Sequence, residues 1–126
     1  MRLAPKPWWL FWYPRKTWVT WNGTVYHPRG VDPSTKPHFL THEAVHVRQQ
    51  SQMGRWTFLW KYVTDKSERL DLEAEAFAAE KQHHTTEGWP SKRLKFAVEL
   101  AGKPYWSAAP SVQAAVDAIS RYESAQ

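Results

Sequence analysis

The feature that most constrains the fold of this chain is His42-Glu43-Ala44-Val45-His46, set between Pro37 and Gly54. Two histidines four residues apart project from one side of a helix, and on a strand the same spacing would separate them by two full pleats. Pro37 suits a first helical position, where its missing N–H costs nothing, and Gly54 suits a stop. Phe39, Ala44, Val45 and Val47 supply the apolar positions of that helix. On it both imidazoles can reach a single ion. Glu43 is turned about 100° from His42 and falls beside such an ion, placed to accept a proton from water. The plain alternative is a surface helix with two histidines and a glutamate.

Around this segment the pattern reads mainly α with a small β portion, an α+β class. Thr17–Trp21 and Thr24–His27 are rich in β-branched and aromatic residues and flank Asn22-Gly23, a strong hairpin signal. Strands are expected at about 17–21 and 24–27, with a loop through Pro33. After Gly54 a short helix is expected from Trp56 to Val63. A third opens at a capping box, Asp65 with Glu68, and runs to about His84. Gly88-Trp89-Pro90 breaks the chain, Pro90 and Gly102 bracket a fourth helix, and Pro110-Ser111 opens a fifth. That makes an N-terminal hairpin and about five helices.

Zinc in a hydrolytic site takes three protein ligands and keeps one open position. The third helix offers Glu73 and Glu75. Glu73 shares a face with Leu70 and Phe77, where an unpaired carboxylate would be expensive and a metal-bound one would not. The alanines around it, Ala74 and Ala76, permit close helix approach. Glu75 faces elsewhere with Asp71 and Ala79. Both could also be ordinary solvated charges. His83 and His84, near the helix end, are further candidates, as ligands or as caps for free carbonyls.

The run His42-Glu43-x-x-His46-Val47-Arg48-Gln49, then Trp56-x-Phe58-x-x-x-Tyr62, then Glu73-Ala74-Glu75-Ala76, resembles the small gluzincin-type zinc metallopeptidases found in phage and bacterial genomes. The resemblance covers about residues 18–82. It implies a minimal zincin-like fold with the Trp18–Tyr26 hairpin running beside the substrate. It implies Zn²⁺ on His42, His46 and Glu73, with Glu43 as general base in hydrolysis of a peptide or protein substrate. Tyr62, Tyr105 and His27 are the candidates for stabilising an oxyanion. One position departs from the pattern. Where many relatives carry an acid four residues after the ligand glutamate, orienting a ligand histidine, this chain has Phe77. Gln49, Asp71 or Glu75 could supply the missing hydrogen bond. A non-catalytic zincin-fold protein, such as a component of a phage particle, is the alternative reading.

Composition separates the ends of the chain. Of 126 residues, 42% are hydrophobic and 23% charged, an ordinary globular balance. No cysteine is present, which removes disulfides, thiolate nucleophiles and iron–sulfur ligation. The net charge of +5 resides in residues 1–36, with six Lys/Arg against Asp32; the remainder is balanced. That third also holds Trp8, Trp9, Trp12, Trp18 and Trp21 of nine tryptophans. The division expected is a Trp-rich basic arm at 1–16 and one domain at 17–126. Six bulky residues, Trp8–Tyr13, closed by Pro14 make neither a secretory signal nor a transmembrane segment, leaving a cytoplasmic or phage-particle location. The arm suits a protein partner, a membrane interface or nucleic acid, the last disfavoured by the modest charge and the lack of a recognised motif. Its tryptophans could equally complete a small core.

Overall fold

The computed structural model describes residues 1–7 and 18–124. Trp8, Trp9, Trp12, Arg15 and Lys16 of the expected arm lie outside the described residues. Among the described residues the architecture is α+β, mainly α. Strands β1 (Arg2–Pro5), β2 (Val19–Trp21) and β3 (Thr24–His27) precede helices α1 (Pro37–Met53), α2 (Arg55–Thr64), α3 (Lys66–Ala79), α4 (Trp89–Leu100) and α5 (Val112–Glu123).

The hairpin forms where Asn22-Gly23 allows it. Both residues have positive φ, 51° and 83°, as a two-residue turn between right-twisted strands requires. Trp21 pairs with Thr24 and Val19 with Tyr26. The start of the chain is extended as its prolines imply, and it is a strand. Arg2–Pro5 runs parallel to Thr24–His27, giving the sheet order β1-β3-β2.

Helix starts and stops follow their local signals. Pro37 begins α1, and Gly54, at φ 88°, ends it and turns directly into α2. The Asp65 carboxylate accepts from the Ser67 and Glu68 amides and caps α3. Ser111 does the same for Ala114 at α5. α3 does not continue to His84 as expected. It ends at Ala79, and Glu80–His83 form a tighter 3₁₀ turn. Contacts to α1 hold that turn: His83 Nε2 lies 2.6 Å from Thr41 Oγ1, and Glu80 reaches His42.

α3 is the central helix. One side, Leu70, Ala74, Phe77 and Ala78, joins Trp89, Phe96, Ala97 and Leu100 of α4 and Ala115, Ala118 and Ile119 of α5 in the main core. Phe77 stacks on Phe96 at 4.4 Å between centroids. The other side, through Ala76 and Ala79, meets Val45 of α1. A helix buried on two sides carries the site on the second. Arg69 on α3 is buried without a carboxylate; its guanidinium donates to the carbonyls of Tyr62 (2.5 Å) and Tyr105 (3.0 Å) and lies over the Trp106 ring. It thereby fastens the loop in which Trp106 and Ser107 take left-handed φ values near 53° and 52°.

Candidate metal centre

Helix α1 presents His42, Glu43, His46, Gln49 and Gln50 inward, all buried. A polar stripe like this is costly unless each member finds a partner, and here each does. Nε2 of His42 and Nε2 of His46 stand 3.2 Å apart. Glu73 on α3 meets both, with Oε1 2.5 Å from His46 Nε2 and Oε2 3.6 Å from His42 Nε2. One ligand atom from each of the three residues lies within 4.8 Å of the others, and all three residues are buried. Three ligand atoms this close together could hold one metal ion.

The outer partners fix which nitrogen faces the centre. His42 Nδ1 lies 2.8 Å from Glu80 Oε2, and His46 Nδ1 lies 2.9 Å from Gln49 Oε1. Each Nδ1–H is thus directed at an acceptor, which leaves the Nε2 lone pairs for a cation. Gln49 is held in turn: its amide donates to Glu75 Oε1 (2.8 Å) and to the Leu72 carbonyl (3.0 Å). Glu75 also pairs with Arg48 at 2.8 Å.

The electrostatics are those of a cation site held together by protons. Burial pulls the His42 pKa down, but hydrogen bonds to Glu73 and Glu80 more than offset this and raise it well above 6.5. His46 is raised as well, Glu73 outweighing burial. Glu73 goes the other way. Burial alone would raise it, yet His46 and His42 hold it far below the usual carboxylate range. A dication would do the same work as these protons, with better geometry. The two imidazoles and one carboxylate form a nitrogen–oxygen set that could hold a metal ion.

Glu43 stays out of the ligand group. The Thr20 hydroxyl on β2 donates to its Oε2 at 2.5 Å. Gln50, next to Gln49, spans the same strand, accepting from the Asn22 amide (3.0 Å) and donating to the Thr20 carbonyl (2.9 Å). The hairpin is therefore bolted to the metal helix.

The structure brings His42, His46 and Glu73 together and leaves Glu75 outside, as a support for Gln49. His83 is engaged by Thr41, and His84 packs against His38 and Trp89. Neither joins the ligand group among the described residues. Gln49 does supply a hydrogen bond to a ligand histidine, as expected, and Asp71 instead faces Arg121. The residue that sequence reasoning missed is Glu80. It replaces the acid absent at Phe77, one turn further along: 73, 77 and 80 are spaced i, i+4, i+7 on one helical face. Of the three oxyanion candidates, His27 bonds the Pro28 carbonyl and Tyr62 stacks on Phe58. Tyr105 lies within the field of Glu73 and Glu43; burial first, then those carboxylates, keep its phenol protonated. Trp18 packs on Phe39 and Trp21 on Trp56, so these two tryptophans do cover helices.

Compared with known proteins, the chain matches no family model, no curated protein and no solved structure.

Proposed function

We propose that this chain is a zinc-dependent hydrolase of peptide or related amide bonds, built on a small gluzincin-like site. The observation that carries the reading is the division of labour among buried polar residues. His42, His46 and Glu73 converge through atoms suited to a metal, while the adjacent Glu43 is held aside by Thr20. Zinc bound there supplies Lewis acidity that brings the pKa of water near neutrality. Glu43, held aside from the ligand atoms, would accept a proton from water and return it to the leaving amine. With Oε2 engaged by Thr20, Oε1 is the oxygen free to carry the proton.

A structural metal that ties α1 to α3 is the second reading, favoured by the depth of the ligands, which are 3–6% exposed. One experiment separates the two. Zinc content is measured after purification without chelator, alongside cleavage of a peptide library. The hydrolase reading expects one zinc per chain, lost with Glu73→Ala and kept with Glu75→Ala and Glu43→Gln. Glu43→Gln should lower turnover by about 10²- to 10⁴-fold. Failure to take up zinc even when it is added back refutes both readings. Full activity in Glu43→Gln refutes the mechanism, and one tightly held zinc without cleavage of any peptide favours the structural role.

A further inference from the structure

Helix α2 buries only Phe58. Its outer face carries Trp60 at 71% exposure, Trp56 at 66%, Val63 at 53% and Leu59 at 39%. At about 100° per residue these four side chains fall within a single arc of about 100°. Together they expose on the order of 500 Å² of apolar surface, as much as the largest patch on a typical monomer, from ten residues.

The charge around the arc points to its occupant. Helix α2 contains Arg55 and Lys61 and no acid. Arg55 lies 5.8 Å from the Trp56 ring and bonds the Asn22 side chain. Arg2, exposed, starts at the same turn, its amide on the Gly23 carbonyl. Lys66 follows the helix, and Asp65, the acid next to it, is committed to the cap of α3. A second copy of this face would bring a second Arg55 to the same contact, a like charge that opposes self-association. Stacked bases would use the tryptophans but gain little from Leu59 and Val63.

We infer that the Leu59–Val63–Trp56–Trp60 face of α2, with Arg55 at its edge, seats the protein on the surface of an anionic lipid bilayer. The indoles lie at the headgroup level, Leu59 and Val63 reach the acyl boundary, and the cations meet lipid phosphates. Sequence and structure both exclude spanning by this helix, since no helix among the described residues is long and apolar enough to cross a membrane. The inference stands independently of the metal site.

The test is flotation of the full chain with vesicles of phosphatidylcholine alone and of phosphatidylcholine with phosphatidylglycerol in equal parts. The wild type should float with the anionic vesicles and far less with the neutral ones. Trp60→Ala should weaken partitioning by about tenfold, and so should Trp56→Ala. Arg55→Glu should weaken it on anionic vesicles only. Because Trp56 also touches Trp21, Trp60→Ala alone decides the matter if Trp56→Ala alters the circular dichroism spectrum. No flotation of the wild type overturns the inference, as does flotation unchanged by Trp60→Ala. A concentration-dependent dimer, or binding to an acidic polypeptide, that is lost with Trp60→Ala while vesicles are ignored would assign the face to protein and equally overturn it.

Discussion

Glu80 gives the sharpest test of the proposed metal centre, because it would act on a bound ion only through His42. Its Oε2 holds His42 Nδ1 at 2.8 Å, and the residue is 1% exposed. Its Oε1 is buried without a hydrogen-bond partner among the described residues. A carboxylate acceptor on a ligand histidine both orients the ring and makes Nε2 a better donor, and such partners commonly change metal affinity by about 10- to 100-fold. That is about 1.4–2.7 kcal/mol. Glu80→Gln keeps an acceptor oxygen and loses the charge, so its zinc affinity should fall by about tenfold. Glu80→Ala loses orientation as well and should approach about a hundredfold. Gln49→Ala, which removes a neutral acceptor from His46, belongs with Glu80→Gln. The assay is equilibrium competition for zinc against a chromophoric chelator. Affinity within about twofold of wild type in Glu80→Ala would refute the reasoning. Wild-type affinity in Glu80→Gln beside a clear loss in Glu80→Ala would show that orientation alone matters and refute the role given to charge.

Two further outcomes are expected. In the metal-free protein, burial opposes but carboxylates outweigh it in raising His42 and His46 above 6.5, so their contribution to stability is whole below pH 6.5 and fades as pH rises through the raised values. Glu73 is shifted below 4.5, so its contribution is whole above pH 4.5 and fades as pH falls through the lowered value. Metal-free Tm should therefore gain most from the cluster between pH 4.5 and 6.5, whereas the Tm increment from zinc should grow with pH as protons cease to compete; a zinc increment that shrinks on going from pH 6 to pH 8 would contradict the assignment. Arg69→Met strands the Tyr62 and Tyr105 carbonyls and should cost about 3 kcal/mol, lowering Tm by about 10 °C with zinc affinity unchanged. A Tm loss under about 3 °C by calorimetry would show that the 105–107 loop does not depend on it.

The elements that could be read in the sequence are those whose causes are local. Pro37 and Gly54 bracket α1, Asn22-Gly23 dictates the hairpin, Asp65 and Ser111 cap their helices, and the His42–His46 spacing defines a helical face. Glu73 was distinguishable from Glu75 because it sits among apolar neighbours, and the structure puts it against both histidines. The elements that escaped are long-range. Arg2–Pro5 has no strand alternation of its own, and its parallel pairing with β3 joins segments about twenty residues apart. Glu80 lies where α3 gives way to a tighter turn, so a helix drawn to His84 blurs its facing. Nothing in the local pattern says that α3 is covered on two sides, and only that fact explains why Phe77 both stacks on Phe96 in the main core and meets the ring of His42.

The same distinction accounts for how α1 is held. Its apolar contribution to the core is slight, with Val45 its one buried hydrophobic residue. Its inward face is instead fixed by directional bonds to two different elements. His42, His46 and Gln49 address α3 and the turn after it, through Glu73, Glu80, Glu75 and the Leu72 carbonyl. Glu43 and Gln50 address β2, through Thr20 and Asn22. Apolar packing tolerates sliding by fractions of a turn, whereas a buried hydrogen bond lost by such a slide leaves an unsatisfied group at a cost of about 1–3 kcal/mol. These contacts of fixed direction leave α1 one register relative to both neighbours. Glu43 and both histidines ride on that single helix, so the bonds that satisfy its polar stripe also set the distance between that carboxylate and the nitrogens that could hold an ion.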